Sequence, residues 1–139
     1  MNDNFLALAE KVRFHLHKKT PNSLPYIPFN EFPHGCCSDS ALILAEIINR
    51  RIGCSAKVVS FDKGCNGLAD SHAWVDIDGL CLDITLDQFN IETCMPYPTI
   101  HVGPYLPIHT EYANGEPSQV SKPCWLAGVV EEMDLLLGE

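Results

Sequence analysis

Three residues of this chain have side chains suited to thiol chemistry and lie where folding could join them: Cys37, His72 and Asp83. A thiolate attacks a carbonyl, an imidazole moves protons to and from the reacting atoms, and a carboxylate fixes the imidazole's tautomer and orientation. A free thiol titrates at about 8.5, so the attacker needs help from a helix N-terminus or a neighbouring imidazolium. Cys37 opens a predicted helix and has access to the first. Cys36 is the alternative nucleophile. Counted at about 100° per residue, the polar positions Asp39, Glu46, Asn49 and Arg50 cluster on one side. Cys37 falls nearly opposite, in line with Ala41, Leu44 and Ile48, and is expected to face the protein body. Cys36 is expected about a quarter-turn away.

The base and its orienter sit on a predicted hairpin. Ala73, Val75 and Ile77 alternate with other residues as in a half-buried strand, and Asp78-Gly79 is a strong two-residue turn signal. With that turn Ile77 pairs with Leu80, Trp74 with Asp83 and His72 with Thr85. His72, Trp74, Asp83 and Thr85 then share one face, and Asp83 is the diagonal neighbour of His72. An odd loop would flip one strand and break the match. Asp87 and Thr85 are the next candidates to orient the ring. Asp76 shares the face but lies further along the strand.

The other elements must deliver these groups. Asp3 to Lys19 carries Phe5, Leu8, Ala9, Val12 and Leu16 at helical spacing, with Asp3 as the expected N-cap. Thr20 to Gly35 holds Pro21, Pro25, Pro28 and Pro33 and is expected to be extended and turn-rich. Cys37 to about Ile52 has the most distinct helical pattern, ended by Gly53. Ala56 to Phe61 reads as a strand, 63–70 as a loop, and Leu80 to Thr85 as the return strand. Beyond Phe89 the expectations are a strand over Thr99 to Val102, turns across Pro96 to Pro123, and a closing helix over Trp125 to Leu137.

Composition restricts the function classes. The 139 residues argue for one domain spanning 1–139, with 46% hydrophobic and 19% charged residues. The net charge is −9 and the basic residues form no stripe, which disfavours nucleic acid and anionic membranes as partners. No apolar run approaches the roughly 20 residues of a membrane span. The start lacks a basic segment, so a cytoplasmic location is expected, with leaderless export the alternative. Seven cysteines contain no Cys-x-x-Cys pair, and most are expected to be reduced, buried fillers. His34, His101 and His109 have no motif partners, although His34 lies close enough in sequence to the thiol to line a cleft.

The residues resemble the transglutaminase-like branch of the papain-like cysteine enzymes. Gly35, Cys37, Asp39 and Ala41 match its Gly-x-Cys helix opening, and Gly53 matches the helix end. His72-Ala73-Trp74-Val75 and Asp83-Ile84-Thr85 match its later motifs, in order. The likeness spans about residues 33 to 89. It implies an α+β fold with the thiol-bearing helix packed on an antiparallel sheet, Cys37 as nucleophile, His72 as base and Asp83 as orienter. The expected activity is cleavage of an amide bond in a peptide or protein, as a peptidase or deamidase, without cofactor or metal. A protein-glutamine transglutaminase would use the same residues. The His-to-Asp interval is short for the family. Where papain has an oxyanion-hole Gln, this chain has Glu31, with Asn30 beside it. The backbone N–H of Cys37 is the first oxyanion donor expected, with Asn30, Trp74 or Gln88 as second candidates. From other classes come a metal-binding module using Cys36, Cys37, His34 and His72, and a non-catalytic binding fold.

Overall fold

The computed structural model describes residues 2–25, 29–62 and 71–138. It is an α+β fold built on a five-stranded antiparallel sheet. In chain order come α1 (Asn2–Lys18), α2 (Cys37–Ile52), β1 (Lys57–Asp62), β2 (Ser71–Ile77) and β3 (Leu80–Asp83). A 3₁₀ turn (Leu86–Phe89), the short α3 (Asn90–Thr93), β4 (His101–Gly103), α4 (Pro107–Ala113), β5 (Glu116–Pro117) and α5 (Leu126–Leu137) complete it. The spatial order of strands is β4-β3-β2-β1-β5, which puts β2 in the middle.

Alternation along the strands divides the core between two faces. Val75, Ile77 and Leu82 join the α1 residues Phe5, Ala9 and Val12, the α2 residues Ile43, Leu44 and Ile48, and the α5 residues Val129 and Met133. Trp74 and Cys81 project to the other face and pack with Leu86, Phe89, and Ile108 and Tyr112 of α4. β2 is buried on both sides, so its His72 is covered whichever way the sheet is viewed.

The hairpin register is the expected one: Val75 opposes Leu82, Asp76 opposes Cys81, and Ile77 opposes Leu80. Asp78 and Gly79 hold φ of 50° and 91°, the paired positive values of a two-residue turn matched to strand twist. The Asp76 carboxylate also accepts the Gly79 N–H at 3.1 Å. Gly53 ends α2 at φ 76° and donates its N–H to Asn49 O, as a left-handed C-cap should.

Several expectations need correction. Asp3 lies inside the first turn of α1 instead of capping it, where a negative charge still favours the helix dipole. The fourth strand begins at His101 and is shorter than Thr99 to Val102. The stretch Pro96 to Pro123 contains a helix, α4, with Pro107 in its first turn; proline is at home there because that N–H has no helical acceptor. The loop expected over 63–70 lies outside the described residues. The cysteines are less buried than expected. Of the six described, Cys36 and Cys81 are buried, and Cys94 and Cys124 are exposed.

Candidate active site

α2 begins with the reactive group. The first intrahelical bond runs from Ser40 N–H to Cys36 O at 2.9 Å, so the amides of residues 37–39 are left without helical acceptors. Unpaired amides and the dipole favour negative charge at that end. Cys37 is half-buried there and lines a cleft of about 300 Å³ with Gly35, Asp39, Ser71 and Gln88.

The two adjacent thiols have opposite environments. Cys36 is the N-cap, at φ −134° and ψ 25°, so helix phase does not govern it. It is 2% exposed and belongs to the core, and its sulfur accepts the Ser40 hydroxyl at 3.6 Å. Burial pushes the Cys36 thiol up to about 11. Cys37 is also penalised by burial, but the nearby His72, with a backbone hydrogen bond from Ala73, outweighs it and holds the thiol below its ordinary value. The structure therefore separates the thiols by burial and by the reach of His72.

β2 and β3 supply the other two groups. His72 Nε2 lies 2.7 Å from Asp83 Oδ2, both fully buried. The short His-to-Asp interval suffices because the two-residue turn puts the side chains on the same face. Burial alone would depress the His72 pKa, yet the Asp83 charge and the Cys37 contact raise it to about 10. Burial likewise works against the Asp83 anion, but His72 and His109 hold that carboxyl well below the usual range. The second ring nitrogen, Nδ1, is buried and has no hydrogen-bond partner among the described residues. With Nε2 committed to Asp83, Nδ1 is the nitrogen left to serve Cys37.

A fourth residue completes the cluster. His109 Nε2 lies 2.8 Å from the same Asp83 oxygen that His72 uses, and its Nδ1 accepts the Leu106 N–H at 3.2 Å. Sequence spacing gives no signal for His109, because its partner Asp83 lies 26 positions away. The other carboxylate oxygen, Oδ1, accepts the Thr85 N–H at 3.0 Å. Asp87, an alternative orienter, is instead engaged by Arg13 at 2.8 and 3.0 Å. Asp76 accepts the Tyr105 hydroxyl at 2.6 Å and takes no part in the cluster.

No family model matches this chain, and no match is found among curated proteins or solved structures. The chemistry is therefore argued from the site itself.

The oxyanion candidates separate clearly. Asn30 is exposed and does not line the cleft. Trp74 is buried in the aromatic cluster, with Nε1 unbonded and its ring edge-on to His109 at 4.8 Å. Gln88 does line the cleft, but its amide N donates to Thr85 O at 2.9 Å and Thr85 Oγ1 at 3.2 Å. His34 is exposed and lies outside the cleft lining. The first-turn amides of α2 remain the donors closest in sequence to the thiol.

His72, Asp83 and His109 also have the residue types and mutual spacing of a metal site. The donor set does not fit one. A neutral imidazole that accepts a backbone N–H at Nδ1 carries its proton on Nε2, and a metal needs a lone pair there. The 2.7 and 2.8 Å separations are those of hydrogen bonds to a carboxylate. The expected Cys36, Cys37, His34 and His72 set does not form, because Cys36 sits in the core and His34 is exposed.

Proposed function

We propose that the protein is a cysteine-dependent acyl-transfer enzyme that cleaves an amide bond in a peptide or protein, with Cys37 as nucleophile, His72 as general acid–base and Asp83 as orienter. The carrying observation is the buried His72, fixed through Nε2 by Asp83 and lowering the Cys37 thiol at a helix N-terminus. The same pattern supports a transglutaminase-like relative within the papain-like enzymes, in line with the Gly35-to-Gly53 and His72-to-Thr85 motifs.

The steps follow from the positions of the groups. The Cys37 thiolate attacks the carbonyl carbon, forming a C–S bond and an oxyanion. The α2 amide of Cys37 stabilises that charge. Collapse breaks the C–N bond, and the leaving nitrogen takes the proton from His72 Nδ1. Water then adds to the thioester while Nδ1 accepts its proton. Collapse of this second intermediate breaks the C–S bond, releasing the acid and the thiolate, with His72 again protonated. A peptide bond as substrate makes this a peptidase and a side-chain amide makes it a deamidase. An amine in place of water makes it a transglutaminase. Hydrolysis is the reading adopted, because water is abundant and no second acceptor site is recognisable in the sequence.

The test is substoichiometric iodoacetamide at neutral pH on the folded protein, followed by mapping of the adducts. Cys37 is expected to label at least tenfold faster than exposed Cys94 and Cys124, because His72 and the start of a helix lower its thiol. Labelling of Cys37 no faster than those exposed thiols would exclude it as an activated nucleophile.

A further inference from the structure

The carboxylate of Asp83 is shared. His72 Nε2 and His109 Nε2 approach the same oxygen, Oδ2, at 2.7 and 2.8 Å. All three side chains are fully buried, so no water competes for that oxygen and each donor affects the other. The state of His109 follows from its other nitrogen. Nδ1 accepts the Leu106 N–H at 3.2 Å, which requires a lone pair there, so the ring is neutral with its proton on Nε2. Leu106 is the N-cap of α4 at φ −81° and ψ 165°, and its amide is free to point back at the ring. The first turn of α4 thus sets the tautomer of His109.

We propose that His109 is a positioning residue of the Cys37 site: as a neutral Nε2–H donor it holds Asp83 Oδ2 in place and takes up part of the carboxylate charge that would otherwise bear on His72 alone. This rests on reading Cys37 and His72 as the acyl-transfer pair. Such a pair needs a His72 that holds its proton against the thiolate yet gives it to a departing amine. An unshared buried carboxylate would bind the imidazolium proton too strongly for the second task. A neutral second donor on the same oxygen weakens that hold without adding positive charge beside His72.

The surrounding groups are consistent with this role. His72 faces Asp83 from β3, Cys37 from α2, and His109 and Tyr112 from α4. The Phe89 and Trp74 rings close the remaining sides at 4.8 and 5.6 Å. His109 in turn faces Asp83, His72, Tyr105, and His101 of β4, the last stacked at 5.7 Å. His101 Nε2 pairs with Pro104 O at 2.7 Å, so it does not compete for Asp83.

The experiment is imidazole ¹H–¹⁵N correlation on the full ¹⁵N-labelled chain at pH 7, with H109L and H109Q beside the unsubstituted protein. His109 is expected as the Nε2–H tautomer, with Nδ1 in the unprotonated range. In H109L the His72 Nε2–H resonance moves downfield, because Oδ2 turns wholly to it. In H109Q the side-chain amide replaces the donor and the resonance stays near its original position. A His109 that is doubly protonated or carries its proton on Nδ1 overturns the proposal, and so does an unchanged His72 resonance in folded H109L. Iodoacetamide labelling of the unsubstituted protein reports separately on Cys37: slow labelling there removes the acyl-transfer reading, whatever the resonances show.

Discussion

Adjacent Cys36 and Cys37 border the same cleft but differ in burial and in partners. Cys36 contributes a sulfur to the core, and burial keeps it protonated. Cys37 meets the His72 ring and the start of a helix. Replacing Cys36 by Ala should therefore cost about 1 kcal/mol, for one small buried group, and leave the rapid labelling of Cys37 in place. Denaturant unfolding gives the first quantity and adduct mapping the second. Loss of rapid labelling in a folded C36A protein would mean that Cys36 carries the reactivity. At this scale the sequence prefers Cys37 on helix phase, counting Cys36 as a helical residue, whereas Cys36 is the cap and differs from Cys37 by its burial. His109 was passed over because its partner lies 26 positions away, at Asp83, and no local spacing reports a contact across the sheet.

The elements position these residues through a few strong local signals and one long-range link. The Asp78-Gly79 turn and the Gly53 cap act within a few residues, so both were legible before the fold was known. α4 was not, since the prolines around it read as turn signals although Pro107 suits a first turn. The long-range link is Arg13 of α1. Its guanidinium donates to Ile84 O at 2.6 Å, to both Asp87 oxygens at 2.8 and 3.0 Å, and to Thr99 O at 3.1 Å. It also lies over the Phe32 ring at 5.0 Å. The segment it ties down leaves β3 directly after Asp83 and carries Thr85, which donates to Asp83. Arg13→Met should cost about 3 kcal/mol, because Asp87 loses its partner in a mostly buried setting. Arg13→Lys should recover little, since one ammonium cannot reproduce a forked contact to two oxygens and two carbonyls. The midpoint of urea unfolding checks both. A lysine variant as stable as the original would show that charge alone, and not the fork, secures this segment.

The site also sets how the whole molecule responds to pH, because its imidazole and its thiol shift in opposite directions. His72 is raised to about 10 in the folded state from about 6.5 unfolded. Its contribution to stability is complete below about pH 6.5 and is lost as pH rises towards 10. Cys37 is lowered in the folded state from about 8.5 unfolded, so its contribution is complete above that value and is lost as pH falls through the folded one. Asp83 is held well below the usual carboxyl range, so its contribution is present above about pH 4 and is lost only in stronger acid. Between the two unfolded values the groups therefore act in opposite directions: as pH rises, the raised imidazole loses its contribution and the lowered thiol gains its own. Above about 8.5 only the His72 loss remains and stability falls. Cys37→Ala removes the compensating group. Its stability should therefore fall relative to the unsubstituted protein as pH rises from about 6.5 to 8.5, by up to roughly 1 kcal/mol per pH unit, or about 3 °C in Tm per pH unit for a chain of this size. Comparing the two proteins cancels the titrating groups away from the site. Melting curves from pH 6 to 9 should diverge as pH rises towards 8.5 and run parallel above it. Parallel curves over the whole range would mean that folding does not lower the Cys37 thiol, and would remove the activated nucleophile.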